Sequence, residues 1–367
     1  MKLGLGLYRR MLTPENFRFA KQAGATHIVA HWVDYFNEGP RIPASQTHGF
    51  GWGVSQNQGK LWSVEELMAL RQAVEAEGLT LAAIENFDPS HWHDVLLDGP
   101  RKAEQIEGLK TIIRNVGAAG IPCIGYNFSV AGVWGHVVGP FARGAAESVG
   151  FSAAHGPRET PIPNGQVWNM TYNPDASPGE VGPVTDEQLW ARLGEFLQEL
   201  VPVAEEVGVR LAAHPDDPPL TTLRGTARLV HKPELYQRLL DLYPSRSNAL
   251  EFCQGTIAEM TGELDVYGAI DRYSAQGAIA YVHFRNVRGT VPEYHEVFVD
   301  EGDVDMVRAL RLYHRNGYNG VIIPDHTPQM TCLAPWHAGM AYALGWMRAT
   351  IGMVQEEDAR GLGASAA

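Results

Sequence analysis

A chain of 367 residues, 45% hydrophobic and 19% charged, has globular composition, which excludes a disordered or fibrous protein. Its formal net charge of −13 offers no clustered positive field for nucleic acid or an anionic membrane surface, so a small molecule is the expected partner. Only Cys123, Cys253 and Cys332 are present, far apart and odd in number, which argues against a disulfide framework. With no apolar run of signal-peptide or membrane-spanning kind, a cytoplasmic location is expected.

Short β-rich runs alternate with helical periods from one end to the other, the pattern of parallel strands joined by crossover helices. Strands are expected at residues 2–7, 27–32, 79–85, 121–128, 210–214, 249–253, 278–285 and 320–325. Several are nearly continuous apolar stretches, as strands buried on both faces require. The helices between them have readable ends. Thr13-Pro14-Glu15 supplies an N-cap followed by proline at the first helical position, with Gly24 beyond the segment it opens. Ser63-Val64-Glu65-Glu66 is a capping box, and Thr185-Asp186-Glu187-Gln188 opens a long helix through Val207 that Gly208 closes.

Eight such units predict an α/β fold, a (β/α)8 TIM barrel formed by residues 1–352 as one domain, because this fold absorbs about 250 residues plus insertions. Two stretches break the rhythm, at 34–59 and 131–183. Both follow a strand, so both are expected above the catalytic face as lids or subunit arms. Residues 353–367 turn polar and then Gly/Ala-rich, and a frayed tail is expected there.

In such a barrel, functional side chains gather where strands end. The fifth strand ends in Ala213-His214-Pro215-Asp216-Asp217, the sixth in Glu251-Phe252-Cys253, the seventh in His283-Phe284-Arg285-Asn286 and the eighth in Pro324-Asp325-His326. A lone strand-end histidine is more often a hydrogen-bonded core residue, and a lone cysteine a small buried hydrophobe. Here four adjacent strands each deliver one metal-capable group. His214, Cys253, His283 and Asp325 together form the expected site for a divalent ion, with a position left for substrate. Asn127 and Glu85, at the ends of strands four and three, are expected to orient substrate hydroxyls. Asp216 is a candidate to approach the same bowl, or else to hold a neighbouring loop or accept from a metal-bound imidazole; Asn286 and His295 are candidates as well, with Glu296 beside His295 on the strand-seven loop.

The run 201–210 leading into His214-Pro215-Asp216-Asp217-Pro218-Pro219 resembles the D-mannonate dehydratase family, within the xylose-isomerase-like barrels. Arg114-Asn115-Val116-Gly117, Tyr126-Asn127-Phe128, His283-Phe284-Arg285-Asn286, His295-Glu296, Gly302-Asp303-Val304-Asp305-Met306 and Pro324-Asp325-His326 agree in order. The resemblance covers roughly residues 61–330. It implies a hydro-lyase that dehydrates D-mannonate to 2-keto-3-deoxy-D-gluconate, with His326 as general acid/base. The metal it implies is manganese, on the residues matching His214, Cys253, His283 and Asp325. Ligand softness alone would choose zinc, and Fe2+ or Co2+ would also suit the set. Arg285 is expected to reach a carboxylate or hydroxyl through its rigid fork, or else to form an ion pair sealing the barrel mouth. A homo-oligomer, dimer or higher, is expected.

Three departures fall where substrate would sit. Ile323 and Thr327 stand where the family has an arginine and a glycine around Pro-Asp-His. Ala334-Pro335-Trp336-His337-Ala338 replaces its glycine-tyrosine context. The N-terminal aromatic/arginine motif is blurred into Leu7-Tyr8-Arg9-Arg10, before an enlarged loop carrying His31, Trp32, His48 and Trp52. Two other readings therefore stay open: a metal-dependent isomerase, epimerase or eliminase acting on a neutral or keto sugar, and a non-catalytic sugar-binding barrel.

Overall fold

Eight parallel strands pair in sequence, and the first also pairs with the last, so the sheet closes on itself. They are β1 (Lys2–Leu7), β2 (His27–His31), β3 (Thr80–Glu85), β4 (Cys123–Tyr126), β5 (Arg210–Ala213), β6 (Asn248–Cys253), β7 (Ile279–His283) and β8 (Val321–Ile323). This computed structural model describes residues 1–35, 53–55, 59–156 and 159–360. The expected (β/α)8 barrel is the observed fold.

Alternation along each strand divides the core in two. Val29, Ala83, Cys123, Ala212, Ala249, Tyr281 and Val321 form one cluster, and most are small, as the crowded interior of a barrel demands. Their neighbours Ile28, Ile84, Ile124, Leu211, Leu250, Val282 and Ile322 belong to the larger cluster that packs the strands against the helices. The helix signals act as expected. Thr13 accepts from the Asn16 N–H, Ser63 with Glu66 and Thr185 with Gln188 form complete capping boxes, and Gly208 takes the left-handed conformation at φ 69°.

Three features differ from expectation. Beyond β7 the chain forms a hairpin, Asn286–Thr290 with Glu293–Val297, where a loop was expected. The stretch 131–183 contributes two strands, His136–Ala142 and Ala146–Ser152, which join that hairpin in a four-stranded antiparallel sheet. The last helix runs from Pro335 to Ala359, past the expected boundary at 352, because Ile351 and Val354 keep burying its inner face. The expected insertion at 34–59 falls largely outside the described residues, as do His48 and Trp52.

Candidate metal centre

Register places the ligands. Cys253 at the end of β6 pairs with His283 at the end of β7, and His283 pairs with Ile323 of β8. His214 follows the last residue of β5, and Asp325 lies two residues beyond β8. One ligand atom each from His214, Cys253 and His283 lie within 4.8 Å of one another. Asp325 is not in that cluster; its Oδ1 lies 3.5 Å from His283 Nδ1. Asp325 sits at φ 60°, so the backbone turns sharply there and brings both Asp325 and His326 to the same cavity.

That cavity lies at the carboxyl ends of the strands. Tyr8, His31, Tyr35, Asn86, Val133 and Trp168 complete its walls around Glu85, Asn127, His214, Asp217, His283, Asp325 and His326, while Cys253 is fully buried and outside the lining. Val133 and Trp168 come from the expected insertion at 131–183, which therefore shapes the cavity.

The donor set suits a divalent cation. His214 Nδ1 donates to the Pro215 carbonyl at 2.6 Å, which fixes the tautomer and leaves Nε2 with its lone pair. Both ring nitrogens of His283 are buried without a hydrogen-bond partner among the described residues. Burial alone would push the Cys253 thiol up, but Arg285, His214 and His283 hold it well below its ordinary value, as a thiolate. Likewise burial works against the Asp325 carboxylate, and His326 and His283 outweigh it.

A second buried group lies beside the first: Glu85, Glu251 and His283. His31 and His283 overcome burial to hold Glu85 at about 2, whereas burial and the neighbouring Glu85 push Glu251 well up. Two buried carboxyls this close do not both ionise.

His326 is oriented by Glu296, whose two oxygens both lie 3.1 Å from its Nδ1. Asp325 and Glu296 outweigh burial and raise His326 to about 9. Burial lowers His31 and outweighs the neighbouring Glu85 carboxylate, which raises it.

The sequence profile of D-mannonate dehydratase matches residues 14–137 and 181–348. Mannonate dehydratase 2 of Halalkalibacterium halodurans is 31% identical over 279 residues, covering 73% of this chain and 79% of that protein. The mannonate dehydratase of Streptococcus pneumoniae strain 70585 is 32% identical over 279 residues, covering 73% and 75%. This chain belongs to the D-mannonate dehydratase family. The crystal structure of mannonate dehydratase from Streptococcus suis serotype 2 superposes with a TM-score of 0.77 at 25% identity, covering 100% of this chain and 97% of that one.

Four candidate residues lie outside the cavity lining. Arg285 does not line the cavity. Its buried guanidinium is ringed by Asp217, Glu259, Glu296 and Asp325 and donates to Thr256 Oγ1 at 2.9 Å, so the sealing ion pair describes it better than a substrate contact. Asp216 accepts the N–H groups of Leu229 and Val230 and pairs with Arg228 Nε at 3.1 Å, which holds a loop. The Asn286 amide is spent on the Val299 and Val304 carbonyls, and the His295 ring stacks on Phe141 with centroids 4.1 Å apart. Neither lines the cavity. Asn127 and Glu85 do, as expected. Trp336, standing in the family's tyrosine context, packs against Phe19, while the cavity's tyrosines are Tyr8 and Tyr35.

Sequence reasoning passed over Asp217, although it stands in the His-Pro-Asp-Asp motif. Its carboxylate accepts from Tyr294 Oη at 2.8 Å and pairs with His136 Nε2 and Arg285 Nη2, both at 3.1 Å. It thus ties the four-stranded sheet to the barrel. Glu251 was also passed over; its one signal is a charged residue inside an otherwise apolar strand.

Proposed function

We propose that this chain is a metal-dependent hydro-lyase converting D-mannonate to 2-keto-3-deoxy-D-gluconate and water. His214, Cys253, His283 and Asp325 hold one divalent ion, which the family resemblance makes manganese. The observation that carries the reading is the cluster of His214, Cys253 and His283 beside a cavity that Asp325 and His326 line, in a chain of this family. A bound divalent ion supplies Lewis-acid stabilisation of the charge that builds as the proton α to the substrate carboxylate departs.

The residues divide the proton work by their environments. His31, neutral, takes the C2 proton. The C2–H electron pair passes into the carboxylate as an enediolate and then returns to form the C2=C3 bond as the C3–O bond breaks, while His326, protonated, gives its proton to the departing hydroxyl, which leaves as water. The resulting enol ketonises by losing its C2 hydroxyl proton and gaining one at C3. Glu296 keeps the His326 ring aimed, and Arg285 holds Glu296 and Asp325 in place. Asn127 donates to the Pro215 carbonyl and presents its amide oxygen to a substrate hydroxyl.

Incubating manganese-loaded protein with D-mannonate and assaying the keto-deoxy acid tests the reading; the acid is expected, and its absence at full metal occupancy removes D-mannonate as substrate. One observation favours a second reading. Among the described residues no lysine or arginine lines the cavity, so a neutral or keto sugar undergoing isomerisation or epimerisation fits its walls as well. A ketose panel run beside the acid separates the two.

A further inference from the structure

We propose that Glu251 is a positioning residue for the ion: it holds the Nε2–H of His283 from the barrel interior, so that Nδ1 is the nitrogen offered to the metal. The inference rests on the metal-binding reading of the site and adds to it a residue from a deeper layer.

Strand register sets the arrangement. Glu251 precedes Cys253 by two residues on β6, Tyr281 precedes His283 by two on β7, and the two pairs are in register. Residues two apart on a strand share a face, so Glu251 and Tyr281 form the layer beneath Cys253 and His283. The two nitrogens of His283 accordingly meet different surroundings. Nε2 lies 3.2 Å from Glu251 Oε1 and 3.4 Å from Glu85 Oε2, whereas Nδ1 lies 3.5 Å from Asp325 Oδ1.

Two further observations single out Glu251. It is 1% exposed, and neither of its oxygens has a hydrogen-bond partner among the described residues, an arrangement a buried carboxyl does not tolerate without compensation. The slot it occupies is also kept open. Gly125 on β4 pairs with Glu85, and a Cβ there would collide with Glu251 Oε2 and Tyr281 Oη.

A ligating imidazole works best when its other N–H is held by a carboxylate or carbonyl, which fixes the tautomer and strengthens the ligand. His214 meets this need through Nδ1 and the Pro215 carbonyl. Nε2 of His283, 3.2 Å from Glu251 Oε1, receives the same support in this proposal, so that the two histidines ligate through opposite nitrogens.

The test strips the full-length protein with chelator and titrates Mn2+ calorimetrically into wild type, Glu251→Met and Glu251→Gln. In parallel, 15N-histidine-labelled wild type loaded with Zn2+ is read by NMR for the nitrogen that keeps its proton. Glu251→Met is expected to weaken binding by about 10- to 100-fold. Glu251→Gln, which retains an accepting oxygen, is expected to recover most of that loss, and the spectrum to show His283 protonated at Nε2. Wild-type affinity in Glu251→Met, or metal on Nε2, overturns the inference while leaving the metal site standing. No Mn2+ binding by wild type overturns both. Should Glu251→Met lack a cooperative melt, the glutamine variant and the wild-type spectrum decide alone.

Discussion

Asp325 and Asn86 are non-glycine residues in the left-handed region, at φ 60° and 66°, and each sits at the end of a barrel strand beside the cavity. Such backbone costs about 1–3 kcal/mol and persists only where the surroundings impose it. Here the turn at Asp325 lets successive side chains serve as ligand and proton carrier. His326→Asn is predicted to lower turnover by about a hundredfold or more with metal content unchanged. Because His31 still takes the C2 proton, this variant is predicted to keep exchanging C2–H with deuterium from solvent, whereas His31→Asn loses exchange and turnover together. Equal loss of metal in His326→Asn would make that histidine structural. The candidate ligands could be picked out in the sequence because each is a metal-capable type at or just past the end of a strand. Arg285 stayed open between a substrate contact and a sealing ion pair because spacing says which strand end a residue occupies, not whether four carboxylates will surround it there.

Loop geometry around the cavity depends on ion pairs that sequence does not announce. The segment after β5 returns to its start through Asp216, which holds two backbone N–H groups and the fully buried Arg228. Arg228 in turn donates to Ser129 Oγ and to the carbonyls of Gly132 and Asp217. Asp216→Ala strands that cation and is predicted to cost about 3–5 kcal/mol in urea unfolding; a change under about 1 kcal/mol would mark the pair as incidental. The eight barrel strands were legible to within a few residues, since burial on both faces writes them as apolar runs. The hairpin of Asn286–Thr290 and Glu293–Val297 was not, because Arg288, Glu293 and His295 give it the polarity of a loop. Its pairing with strands more than 130 residues earlier in the chain is a tertiary fact with no local signature.

Across the whole molecule, metal ligands and substrate walls have different origins. The ligands stand on or just past β5 to β8, inside the residues the family profile matches, while that match breaks off between 137 and 181. The unmatched stretch supplies Trp168 to the cavity and the two strands that pair over the β7 hairpin. The central claim is that a thiolate and two imidazoles from neighbouring strands share one ion. Loading the chelator-stripped protein with Co2+ and recording its near-ultraviolet absorption tests this most directly. A thiolate-to-cobalt charge-transfer band is predicted in the wild type and lost in Cys253→Ser; a wild type without the band, or a band that survives the substitution, would contradict the account.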